Sequence, residues 1–173
     1  MRTLFTLLLC TACSNAKDTA IDAAVIPVDT AKPIDSSVSI DAPQALRLLV
    51  VNEVAPGETP DWIEVVNATN APIQLDQFVY VDVAGDFVKA KPFPAMMLAP
   101  GAYYVQNIDD TVSGFKLGSD EEVWVYRASD QALSDGVDWA EGAAPMGSSY
   151  ARSPTITGAF ATTATPSKGT ANP

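Results

Sequence analysis

Val50-Val51-Asn52-Glu53-Val54 and Asp61-Trp62-Ile63-Glu64-Val65-Val66-Asn67 decide the fold. Both runs are dense in β-branched and apolar residues, the composition of strands. The loop between them, Ala55-Pro56-Gly57-Glu58-Thr59-Pro60, holds two prolines and a glycine that continue neither run. Two β-strands, Leu46–Val54 and Asp61–Asn67, joined by a short connection are therefore expected. Glu53 and Glu64 stand inside these strands, where an isolated charge is costly.

Downstream, short strands recur between turns. Ile73-Gln74-Leu75 and Phe78–Val83 read as strand, and Gly85-Asp86 turns the chain towards Phe87-Val88-Lys89, which is placed to pair back. Leu98-Ala99-Pro100-Gly101 turns into a strand over Ala102–Asn107, and Phe115-Lys116-Leu117 reads as a short strand. Glu122–Arg127 and Leu133–Trp139 form a predicted hairpin across Ala128-Ser129-Asp130-Gln131, and Ser148–Arg152 is the last predicted strand. No run sustains a helical period over three turns. The fold class is all-β: about seven to nine short strands suit a two-sheet sandwich of the immunoglobulin type.

Upstream, the chain changes character. Residues 1–12 read as an export signal, with Arg2 as the single charge and an apolar run from Leu4 to Leu9. That run is far short of the roughly 20 residues of a spanning helix. Thr11-Ala12-Cys13-Ser14 resembles a bacterial lipobox, which makes Cys13 the lipid-modified residue. Cys10 stands where such motifs usually carry leucine, and the alternative is an ordinary signal peptide cleaved after Ala12. Residues 13–44 read as an acidic, flexible, disordered linker. An aliphatic residue followed by aspartate recurs at Ile21-Asp22, Val28-Asp29, Ile34-Asp35 and Ile40-Asp41, with Pro27, Pro33 and Pro43 among them and no aromatic. Such a segment buries too little apolar area to offset its ordering entropy. Fully extended, about 30 residues reach on the order of 100 Å. The folded domain is expected over residues 45–173.

Composition removes several function classes. The formal net charge is −11 over 173 residues, and there is no histidine. An acidic surface disfavours sequence-independent nucleic-acid binding. Both cysteines, Cys10 and Cys13, fall in the leader region, so the domain has no thiol nucleophile, disulfide or cysteine metal site. Without histidine there is no Ser-His-Asp arrangement, no imidazole base and no histidine-ligated zinc. Phosphate-binding glycine loops are absent. Acidic clusters at Asp109-Asp110 and Asp120-Glu121-Glu122 fall in or beside predicted turns, where charge most often serves solvation. No cofactor or metal is expected.

In chain order, Asn52-Glu53, Asp61-Trp62-Ile63-Glu64, Asn67 and Leu75 resemble blocks of the lamin tail domain family. Leu98-x-Pro100-Gly101, Tyr104-Val105, Gly114-Phe115-Lys116-Leu117, Asp138, Tyr150-x-Arg152 and Thr165-Pro166-x-x-Gly169-x-x-Asn172 continue the resemblance, over about residues 46–173. Phe78-Val79-Tyr80 departs from it where a Gly-Trp pair is common, and Ser153-Pro154-Thr155 replaces the usual Pro-Asp-Gly. The resemblance implies an immunoglobulin-like β-sandwich. Bacterial domains of this kind accompany secreted hydrolases and nucleases, which implies an accessory or tethering role, and no such catalytic partner is on this chain.

The motif residues admit two readings. Glu53, Glu64 and Arg152 are candidates for a structural ion pair, because a carboxylate inside a strand seeks a cation and arginine is a bidentate partner. With Asn52 they also form a candidate binding or acid–base cluster. Trp62 reads as a packing residue. Trp124 and Tyr126 share one face of their strand and Val123 and Val125 the other, so an outward aromatic face is a possible ligand patch. The expectation is a non-enzymatic, lipid-anchored envelope protein displaying an interaction or tethering domain, held to the membrane by its N-terminal lipid. Its partner would be an envelope protein or polysaccharide. Ser14 lacks the aspartate associated with inner-membrane retention, which points to the outer membrane. The alternatives are a carbohydrate-binding module using Trp124, Tyr126 or Tyr104, and a hydrolase built on two facing carboxylates.

Overall fold

The computed structural model describes residues Arg47–Pro173. The expectations placed on residues 1–46, including the export signal, the linker and Cys13, lie outside the described residues. The described residues contain no α-helix and no helix long and apolar enough to cross a membrane.

Eleven strands occur among the described residues: β1 (Leu49–Ala55), β2 (Asp61–Asn67), β3 (Ile73–Gln74), β4 (Phe78–Val81), β5 (Lys91–Pro92), β6 (Met97–Leu98), β7 (Tyr103–Ile108), β8 (Glu121–Arg127), β9 (Ala132–Trp139), β10 (Ser149–Ser153) and β11 (Ala159–Thr163). Three of them, β3, β5 and β6, are two residues long. The rest match the expected strand number. They form a five-stranded sheet ordered β11-β10-β1-β2-β7 and a four-stranded sheet ordered β5-β4-β8-β9, with β3 and β6 as a separate pair. Every pairing is antiparallel. This is an all-β sandwich.

The core follows from strand alternation. Leu49, Val51, Val54, Ile63 and Val65 come from the five-stranded sheet, and Tyr80, Val123, Val125, Val137 and Trp139 from the four-stranded one. Each fully buried aliphatic side chain of this kind contributes about 1.5–3 kcal/mol. Tyr80, Phe93 and Tyr104 extend the core as an aromatic row, with ring centroids 5.0 and 6.2 Å apart.

Two bulges position the polar residues. In β1 the register steps between Val51 and Glu53, which leaves Asn52 as the extra residue. In β9 it steps between Asp135, opposite Val125, and Leu133, opposite Tyr126, which leaves Ser134 extra. A bulge turns two consecutive side chains towards the same side of a strand. Asn52 and Glu53 are thereby directed away from the core, and Val54 re-enters it.

Several local expectations differ from the structure. Phe115-Lys116-Leu117 alternates buried, exposed, buried, as a strand would, but joins no ladder; instead Leu117 N–H donates to Asp61 Oδ2 at 3.0 Å. Phe87-Val88-Lys89 forms turns and not a strand, because Phe87 packs edge-on to Tyr126 at 4.9 Å. β11 was not expected, since Ala159-Phe160-Ala161-Thr162-Thr163 has a single large apolar residue to mark it.

Candidate functional site

The buried polar residues divide into two groups by the face they occupy. Within the sandwich, β9 is joined to the five-stranded sheet by side chains. Ser134 Oγ accepts from Leu49 N–H (2.9 Å) and donates to Leu49 O (2.8 Å), while Asp135 Oδ2 accepts from Val51 N–H (2.9 Å). Among the described residues β1 has no strand neighbour here on the β10 side, because β10 pairs it only at Glu53 and Val54. The two side chains therefore satisfy main-chain groups that a strand would otherwise serve.

Arg152 completes this junction. Its Nη2 lies 3.1 Å from both oxygens of Asp135, its Nε donates to Val51 O at 2.9 Å, and its guanidinium stacks 4.4 Å from the centre of the Phe160 ring. Both charged side chains are almost fully buried. Burial pushes the Asp135 carboxyl up, and the guanidinium and neighbouring amides oppose that shift.

This corrects the expected ion pair. Among the described residues Arg152 pairs with Asp135 and with neither Glu53 nor Glu64. The reason is register. Ala151 stands opposite Glu53, so Ala151 shares the glutamate's face and Arg152 points through the other side of the sheet. Asp135 was missed by sequence reading, although an acidic residue inside a predicted strand is the same signal that singled out the glutamates.

Glu53 and Glu64 form the second group. They are direct partners across the β1–β2 ladder, on the face turned away from the core, and both are 0% exposed. Residues 164–173 cover them. Glu53 accepts from the Ser149 hydroxyl, from Ser167 N–H (3.1 Å) and from Ser167 Oγ (2.8 Å). Glu64 accepts from Asn52 Nδ2 (2.8 Å) and from Gly169 N–H. Asn172 Nδ2 donates to Asn52 O (3.0 Å) and Arg152 O (2.7 Å), and Lys168 Nζ sits 5.1 Å over the ring of Trp62. Burial, foremost, pushes the Glu64 carboxyl up to about 7; its two hydrogen bonds oppose the shift and the Glu53 charge adds to it. The protonated form relieves the cost of opposing two like charges directly.

Trp124 and Tyr126 do lie on the outer face of their sheet, with Val123 and Val125 in the core. The face is partly occupied. Tyr126 is buried beneath Phe87, and its hydroxyl accepts from Gly85 N–H at 3.1 Å. Trp124 is half-buried over Gly136, where a Cβ would come within 2.1 Å of the indole. Trp124 Nε1 and Asp82 Oδ1 are buried without a hydrogen-bond partner among the described residues.

The acidic clusters serve turns. Asp109 Oδ1 caps Thr111 N–H (2.7 Å) and Val112 N–H (2.8 Å), and these bonds and that of the Thr111 hydroxyl hold its carboxyl below the usual range. Asp110 meets Lys116 at 3.1 Å, and Glu122 accepts from Ala84 N–H at 2.7 Å. Among the described residues no group of three or more acidic side chains is placed to hold a metal ion. No family model matches the chain, and no curated protein matches it.

Proposed function

We propose that the chain is a lipid-anchored envelope protein whose β-sandwich is a non-enzymatic interaction or tethering domain of the lamin tail type. One observation carries the domain reading. The polar side chains with the chemistry for a reaction, Glu53, Glu64, Asp135 and Arg152, are buried and engaged in bonds that fasten strands together. The residues on which the family resemblance rests, Asn52, Glu53, Glu64, Asn67, Arg152 and Asn172, belong to this set of fasteners. Asn67, for instance, donates to Ala71 O (2.8 Å) and Leu98 O (2.9 Å). The lipobox-like Thr11-Ala12-Cys13 supports anchoring, and Ser14 supports the outer membrane.

The carbohydrate-binding reading has one observation in its favour. Trp124 Nε1, on the outer side of β8, is an unmet donor among the described residues, and Asp82 Oδ1, just past the end of β4, is an unmet acceptor, groups of the kind that a sugar hydroxyl satisfies. The burial of Tyr126 weighs against a planar aromatic platform there.

Two measurements test the proposal. Mass spectrometry of the protein extracted from membranes is expected to find an acylated Cys13, with Cys13→Ser moving the chain to the soluble fraction. The soluble Cys13→Ser chain is then expected to bind a fractionated envelope protein saturably. Saturable binding only to polysaccharide, lost on Trp124→Ala, would transfer the function to the carbohydrate reading; hydrolysis of an envelope polymer would end the non-enzymatic one.

A further inference from the structure

The two open sides of the sandwich are finished differently. On one, Ser134, Asp135 and Arg152 seal β9 to β1 and β10. On the other, β7 and β5 end their sheets, and neither has a further strand neighbour among the described residues. Asn67 N–H donates to Ala102 O at 3.1 Å, just before β7 begins. An antiparallel ladder alternates every second residue, so the main-chain groups of Tyr103, Val105 and Asn107 point away from β2. Of these, Asn107 O accepts from Gln106 Nε2 at 2.8 Å.

The two edges also differ in chemistry. β5 consists of a lysine and a proline, residue types that blunt a sheet edge, whereas β7 is Tyr-Tyr-Val-Gln-Asn-Ile, without charge or proline. Between them lies a groove of about 380 Å³ whose walls include Tyr80, Pro92, Pro94, Tyr104 and the 61% exposed Val112. Lys91 is the one cation lining it, and it makes no ion pair among the described residues. Tyr104 and Gln106, two residues apart on β7, both face the groove. A bonding edge beside an apolar trough is the arrangement that accepts an added strand.

We infer that β7 is a strand acceptor: an extended peptide segment of a protein partner, apolar at alternate positions and carrying a carboxylate, adds to β7, fills the groove and pairs with Lys91. This rests on the interaction-domain reading above and names the kind of partner it takes. The charge argument selects the acidic residue. In a chain of net charge −11, an unpaired lysine in an otherwise uncharged trough is a local attraction for a carboxylate.

The test is fluorescence anisotropy of the Cys13→Ser chain with a labelled short peptide in which valine alternates with threonine and which ends in aspartate. Two control peptides carry N-methylated amides or lysine for the aspartate. Saturable binding is expected, weakened about tenfold or more by N-methylation, which removes main-chain donors without touching the protein. Lys91→Glu is expected to weaken it about threefold to tenfold and to reverse the preference between aspartate and lysine peptides. Val105→Pro is expected to abolish it, because an outward N–H is lost; Trp124→Ala is expected to leave it unchanged. If Val105→Pro fails to fold, the N-methylated peptide and Lys91→Glu carry the test. Equal binding of the N-methylated peptide, or no saturable binding to the folded chain, overturns the inference. So does self-association abolished by Lys91→Glu, which assigns the edge to a second copy. Envelope-protein binding that survives Val105→Pro overturns this inference and leaves the interaction-domain reading standing.

Discussion

Glu53 and Glu64 oppose each other directly across the β1–β2 ladder, closed off from solvent by residues 164–173, on the opposite side of the sheet from Arg152. Two carboxylates are thus held side by side, with hydroxyl, amide and main-chain donors around them.

The protonation of Glu64 makes the stability of the domain depend on pH. Its carboxyl is pushed from an ordinary 4.5 to about 7 on folding. The contribution is therefore fully present below about pH 4.5 and is lost as pH rises through about 7. Denaturant unfolding of the wild-type chain and of Glu64→Gln should diverge over this window, with the wild type losing about 2 kcal/mol relative to the variant, a figure already discounted for screening. Asp61 and Glu121 are raised in the same direction by burial, so the difference between the two proteins, not the wild-type curve alone, is the measurement. Parallel curves would remove Glu64 as the titrating group.

The Arg152–Asp135 pair should behave as a buried ion pair whose halves are costly to separate. Arg152→Ala is expected to lower stability by about 3–5 kcal/mol, because it takes from the buried Asp135 carboxylate the guanidinium that faces it, and Asp135→Ala is expected to lower stability as well. The double substitution should cost clearly less than the sum of the two, and a thermodynamic cycle measures the coupling. Additive losses would mean that the residues act through packing alone.

Asn172 should be worth more than its place near the end of the described residues suggests. Asn172→Ala leaves Asn52 O and Arg152 O without this donor inside the fold, at about 1–3 kcal/mol for a buried unmet group. Amide hydrogen exchange is expected to rise at Ser167 and Gly169, whose N–H groups bond the two glutamates, before it rises in the core strands. Uniform acceleration throughout the domain would show that the covering segment does not open by itself.

Much of the fold was legible because period-2 alternation marks half-buried strands. Asp61–Asn67 is legible with its observed bounds, and in the Glu122–Arg127 and Leu133–Trp139 hairpin each strand begins one residue earlier than expected and ends where expected. β11 escaped because alanine and threonine carry little hydrophobic signal, and Phe115–Leu117 misled because alternation reports burial and not pairing. The candidate site was half legible. Glu53, Glu64 and Arg152 were recognised as buried, but the bulges at Asn52 and Ser134, invisible to a strict period of two, decide which face each side chain takes. Once Arg152 fell on the inner side, its carboxylate had to come from the other sheet, and long-range pairing of that kind is not encoded in local spacing.

The position of β1 also sets how the domain meets mechanical load. A pull applied at Arg47 passes into β1, an interior strand that is hydrogen-bonded to β2 along its length and clipped to β9 by Ser134 and Asp135. Extraction must rupture those bonds together, sliding one strand past its neighbours, where an edge strand would peel away one bond at a time. Endurance under tension is then a matter of unfolding rate, and the Ser134 and Asp135 side chains act as the pins that slow the first slip.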